Sequence, residues 1–159
     1  MALREMRIQG DPVLGKVCKP IKEMTPKLAA LIEDMLDTMY EQNGVGLAAP
    51  QVGMLKRIVV IDVGDGPVVL INPKILETAG EQTGQEGCLS VPGKAGIVTR
   101  PNYVRAEALD EVMQPFEFEA EGLFARAVCH ELDHLDGILY TEHVIGELMN
   151  VEDIPDEEE

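Results

Sequence analysis

The sequence predicts an α+β fold. Antiparallel β-hairpins pack around a central metal-binding His-Glu-x-x-His helix, with an N-terminal helix and a short C-terminal helix. Three observations predict it. Two stretches carry apolar residues at helical spacing. Two pairs of strand-like runs are each joined by a short turn. No helical segment separates the strands within a pair, so they read as hairpins rather than βαβ units.

Near the start, Asp11-Pro12 opens a turn and Val13-Leu14 follow as apolar anchors. Thr25-Pro26 reads as an N-cap followed by proline at the first helical position, which suits proline's fixed φ. The helix is expected to run to about Gln42. Leu28, Leu31, Ile32, Met35, Leu36 and Met39 form its apolar face, and Asn43-Gly44 ends it. Arg57 to Val63 and Pro67 to Ile71 are β-branched runs joined by Gly64-Asp65-Gly66, a hairpin. Tyr103 to Leu109 and Pro115 to Glu121 make a second pair around Asp110-Glu111. Glu117, Glu119 and Glu121 alternate with Phe116, Phe118 and Ala120, so one face of that strand is wet. A second helix is expected from about Leu123 to Asp136, with Gly137 at its C-terminal cap. A short final helix is expected from Glu142 to Met149.

A chain of 159 residues is long enough for one domain with a real core. We expect one catalytic domain over 1–149 and an acidic, disordered tail over 150–159. The formal charge of −16 argues against direct nucleic-acid binding and against anionic membranes. Cys18, Cys88 and Cys129 cannot all pair and lack the spacing of a disulfide framework, which favours a reducing compartment. No apolar run is long enough to span a membrane, and no signal segment opens the chain. A cytoplasmic location is therefore expected.

The chemistry lies in His130-Glu131-Leu132-Asp133-His134. Four residues on a helix amount to about 400° of rotation and roughly 6 Å of rise. Both imidazoles then leave one face and can share a metal ion. Glu131 sits about 100° round the helix, where a general base for an activated water belongs. The apolar run Gly122 to Cys129 leads into the motif, so the helix is buried and its histidines need partners.

A catalytic zinc-type site takes three protein ligands. The metzincin pattern fits as far as Gly137, but Tyr140 stands where its last histidine belongs. His143 is a further candidate. Cys18 lies in a charged stretch, and Cys129 points about 100° away from His130. Cys88, after the permissive Gly87, is favoured among the candidates without excluding them. A thiolate with two imidazoles suits zinc or a comparable divalent transition metal. Separately, Gly44-Val45-Gly46-Leu47-Ala48-Ala49-Pro50-Gln51 lacks the lysine of a phosphate loop. Its small residues let a ligand backbone lie close, and the Gln51 amide is a donor suited to negative charge growing on a carbonyl oxygen.

Three segments in this order resemble the peptide deformylase family: Gly44 to Gln51, Glu86 to Ser90, and His130 to Gly137. Asp11-Pro12-Val13-Leu14 resembles the family's usual opening, and the likeness runs to about Met149. The resemblance implies a hydrolase that removes the N-formyl group from the N-terminal methionine of newly synthesised polypeptides and releases formate. It implies Cys88, His130 and His134 as metal ligands, Glu131 as catalytic acid/base, and Gln51 with the Leu89 backbone N–H as oxyanion donors. Val45, Gly46, Leu123 and Ala127 would border the substrate. It implies ferrous iron as the usual metal, with zinc, nickel or cobalt as substitutes. Cys129 stands where the family usually has glutamine, and Ala95 where a basic residue is common. A transient ribosome contact is compatible with the resemblance, but the acidic end excludes docking through a basic C-terminal helix.

Overall fold

A computed structural model describes residues 2–153 of the chain. The first helix, α1 (Pro26–Glu41), starts where Thr25 Oγ1 accepts from the Leu28 N–H at 3.1 Å. It buries Leu31, Ile32, Met35 and Met39, the expected face. Eight strands follow, with the second helix between the last two. They are β1 (Gly46–Ala48), β2 (Ile58–Ile61), β3 (Val68–Ala79), β4 (Gln82–Cys88), β5 (Val91–Arg100), β6 (Tyr103–Leu109) and β7 (Pro115–Glu121), then α2 (Leu123–Leu135) and β8 (Ile145–Asn150). One sheet has the order β1-β2-β3-β6-β7 and the other β4-β5-β8. Every pairing between these strands is antiparallel. The α+β class is therefore borne out.

The larger sheet lies between the two helices. Ile58 and Val60 of β2 join the α1 cluster with Leu31, Met35 and Ile71. Val59 and Ile61, on the other face, join the α2 cluster with Val128, Leu132 and Leu135. All four β2 residues are buried because each face meets a helix, which is why this strand is a continuous apolar run. The hairpin turn after it is fixed by Asp62, whose Oδ1 accepts from the N–H groups of Gly64 and Gly66. Both glycines have positive φ.

The expected final helix does not form. Tyr140–Glu142 make one 3-10 turn, and Ile145–Asn150 form strand β8 against β5. Gly146 has φ +80°, which an α-helix does not admit. The free edge of β5 also offers backbone partners that an isolated short helix would lack. Val144 anchors the change of direction, since a Cβ on Gly96 would lie 2.5 Å from Val144 Cγ2. Asn150 is thus in a strand, and Val151–Asp153 form a 3-10 turn rather than the start of a tail. The remainder of the expected tail, 154–159, lies outside the described residues.

Candidate active site

Cys88 is the last residue of β4, where the chain reverses through Leu89-Ser90 and Cys88 pairs with Val91 of β5. His130 and His134 project from one face of α2, with ring centroids 5.1 Å apart. The Cys88 sulfur lies 3.3 Å from His134 Nε2. One ligand atom from each of Cys88, His130 and His134 falls within 4.8 Å of the others. The other candidates go elsewhere. Cys18 and Cys129 pack in the α2 core. His143 Nε2 pairs with Asp133 Oδ2 at 3.1 Å. Tyr140 is buried and stacks on the His130 ring, centroids 5.9 Å apart.

A buried ionic cluster orients the first histidine. His130 Nδ1 is 2.5 Å from Glu86 Oε2, and a carboxylate can only accept, so Nδ1 donates and Nε2 is left for a metal. Glu86 is also gripped by Arg100, through Nη2 at 2.7 Å, and by Arg126 Nη1 at 2.7 Å. Arg100 Nη1 reaches on to Asp133 Oδ2 at 2.8 Å. Two carboxylates thus balance two guanidiniums. Burial would raise the Glu86 pKa, but the hydrogen bonds from His130 and Arg100 outweigh it and hold it down at about 2. Burial drives the His134 pKa down to about 3, with the neighbouring His130 adding to it, so this ring is neutral and able to donate a lone pair.

Gln51 sits in the 3-10 turn Ala49–Val52 that follows β1. Its Oε1 accepts from the Ala48 N–H at 2.9 Å, which fixes which way the amide faces. Its Nε2 donates to Ser90 Oγ at 3.1 Å and lies 3.5 Å from the Cys88 sulfur. Glu131 is 4% exposed, and its Oε1 has no partner among the described residues. Burial raises its pKa to about 7, opposed by His130 and reinforced by Glu86. The reason for glycine at 46 is steric: a Cβ there would lie 2.5 Å from Glu131 Oε2. Gly46→Ala is expected to push the carboxyl aside and lower kcat by about 10²-fold, the effect of misplacing a reacting group by 1 Å. Formate-release kinetics beside a thermal unfolding scan check it. Overpacking alone should cost only about 1–3 kcal/mol of stability.

Val45, Gly46, Gln51, Cys88, Leu89, Leu123, Ala127, His130 and Glu131 all line one cleft of about 410 Å³. Of the residues expected at the site, His134 alone lies behind this surface, 1% exposed. Glu86, Arg126, Lys94 and Val151 also line it and were not expected there. For Glu86 there was a signal, its place two residues before Cys88 in the second motif. The buried arginines carry none, because nothing local separates them from surface arginines.

A thiolate, two imidazoles and a buried carboxyl with an unpartnered oxygen fit a divalent transition metal that activates water. Fold and site together define a metal-dependent hydrolase. The polypeptide deformylase family model matches residues 3–148. The chain is 69% identical over 151 residues to the peptide deformylase of Agathobacter rectalis, covering 95% of this chain and 96% of that one. It is 65% identical over 162 residues to that of Lachnoclostridium phytofermentans, covering 100% and 99%. The fold superposes on the crystal structure of peptide deformylase from Thermotoga maritima with a TM-score of 0.88, at 41% identity over 91% of this chain and 99% of that one. A Synechococcus elongatus peptide deformylase in complex with actinonin gives 0.87, at 43% identity, covering 90% and 79%. The chain belongs to the peptide deformylase family, metal-dependent enzymes that remove the formyl group from the N-terminal methionine of newly made polypeptides.

Proposed function

We propose that Cys88, His130 and His134 hold one divalent metal ion and that Glu131 and Gln51 carry out the proton and charge handling of deformylation. The observation that carries this reading is the convergence of the three ligand atoms within 4.8 Å, in a cleft that Glu131 and Gln51 also line. The metal, when bound, supplies Lewis acidity that makes water a nucleophile near neutral pH. By family resemblance it is ferrous iron, with zinc, nickel or cobalt as substitutes.

Glu131, a buried carboxyl with one free oxygen, takes the proton as water attacks the formyl carbon and returns it to the leaving amine. The Gln51 amide, locked by Ala48 and Ser90, donates to the carbonyl oxygen as its charge grows, together with the Leu89 N–H. Val45 and Gly46 border the peptide backbone, and Leu123 and Ala127 receive the methionine side chain. Formate and the free amine then leave. The substrate is a formylmethionyl peptide or nascent chain. No helix among the described residues is long and apolar enough to cross a membrane. We place the enzyme in the cytoplasm. Residues 145–153 form β8 and a 3-10 turn and carry acidic side chains, so any ribosome contact through this stretch is not that of a basic helix.

The test is formate release from a formyl-Met peptide, with metal content measured on the same preparation. We expect activity to track one metal per chain, to vanish on chelation and to return on adding metal. Gln51→Leu is expected to keep the metal and lose about 10²–10³-fold in kcat, the effect of one oxyanion donor. A metal-loaded native chain that releases no formate refutes the reading.

A further inference from the structure

We propose that the C-terminal strand and the turn after it build the part of the cleft that reads the residues following methionine. Val151 forms an apolar wall there, and Lys94 a cationic lip that favours an acidic side chain. This rests on the cleft being the peptide site.

β8 is the third strand of the sheet that carries Cys88. Its register with β5 sets Asn150 opposite Lys94 and Met149 opposite Ala95, while β4 sets Gly87 opposite Ala95 on the other side. The Lys94 ammonium donates to Asn150 Oδ1, so the end of β8 holds that side chain at the rim. Val151 is half exposed and lines the same cleft as Lys94 and Glu131.

Distance along β5 indicates which part of the substrate arrives there. Val91 pairs with Cys88, and Lys94 is three residues further on, about 10 Å at 3.3 Å per residue. An extended peptide covers about the same distance from a formyl carbon to the α-carbon of its third residue. The third residue therefore comes abreast of Lys94 and Val151.

Charge decides what it meets. Among the described charged side chains lining the cleft, Arg126 is bound to Glu86, and His130 also faces Glu86. Among the described residues, the Lys94 ammonium has the neutral Asn150 side chain as its hydrogen-bond partner and forms no salt bridge. Among the described residues it is thus a cation without a carboxylate partner, at the rim of a chain whose formal charge is −16.

The experiment compares kcat/KM for formyl-Met-Ala-Glu, formyl-Met-Ala-Lys and formyl-Met-Ala-Val on one metal-loaded preparation, for native enzyme, Lys94→Met and Val151→Asp. A ratio between peptides on one preparation cancels any loss of folded enzyme. The native enzyme is expected to prefer Glu over Lys by about 5-fold, a surface-charge effect that shrinks in high salt. Lys94→Met should bring that ratio close to one. Val151→Asp should lower the value for Val relative to the other two and shift the preference towards Lys. A native ratio of one, or a ratio unchanged in Lys94→Met, overturns the proposal. No formate from any of the three peptides overturns the deformylase reading of the cleft instead.

Discussion

Glu131→Gln is expected to lower kcat by about 10²–10⁴-fold, the usual contribution of a positioned general acid–base, while the metal content of the protein stays at the native level. The two readouts separate because of where the side chain stands. Glu131 follows His130 on α2 but is not among the three residues whose ligand-type atoms converge. Its Oε2 rests against Gly46 of β1, and its Oε1 faces no partner. Glutamine fills the same volume, so neither the packing against Gly46 nor the metal ligands should change. What goes is a group that can both take and return a proton. If the carboxylate were itself a ligand, metal content would fall with activity. If it were a structural acid, unfolding temperature would fall and kcat would hold. Formate-release kinetics, metal analysis and a melting curve on one sample distinguish the three cases.

Different parts of this molecule were legible for different physical reasons. The β6–β7 hairpin could be read to the residue, because Phe116 to Glu121 alternate and a short turn sets the register. Both long helices were readable from Thr25-Pro26 and from the apolar spacing that buries one face. The β4–β5 hairpin was not. Gln82 to Cys88 is polar and interrupted by glycines, so its strand character comes from pairing with β5 rather than from its own residues. The same override turned the expected final helix into β8. In the site, the histidine pair needs only helical spacing and was visible at once. Cys88 comes from strand β4, far from α2 in sequence, and the residues left it as one candidate among several until the fold brought it to His134. The cluster of Glu86, Arg100, Arg126 and Asp133 spans β4, β5 and α2. No local pattern encodes a cluster assembled from three elements.

That cluster predicts the second large effect. Glu86→Ala is expected to destabilise the fold by about 3–5 kcal/mol, because it leaves the buried Arg126 without a carboxylate partner and Arg100 with Asp133 alone. At about 2–4 °C per kcal/mol for a chain of this size, the unfolding midpoint should drop by about 6–20 °C. Glu86→Gln keeps the shape and should lose less. Both variants should release metal more readily, by about 10–100-fold in affinity, because His130 Nδ1 loses the acceptor that sets its ring. The pH dependence has a definite sign. The Glu86 pKa is held at about 2 in the folded chain against an ordinary 4.5, so its contribution is present above pH 4.5 and drains away as pH falls towards 2. Across that window the native midpoint should fall more steeply than that of Glu86→Gln, which has no proton to gain there. Equal slopes would mean that the carboxylate is neutralised by its neighbours without contributing to stability. A normal melting temperature in Glu86→Ala would mean that Asp133 alone satisfies Arg100, and that His130 is positioned by the Tyr140 ring stacked on it rather than by charge.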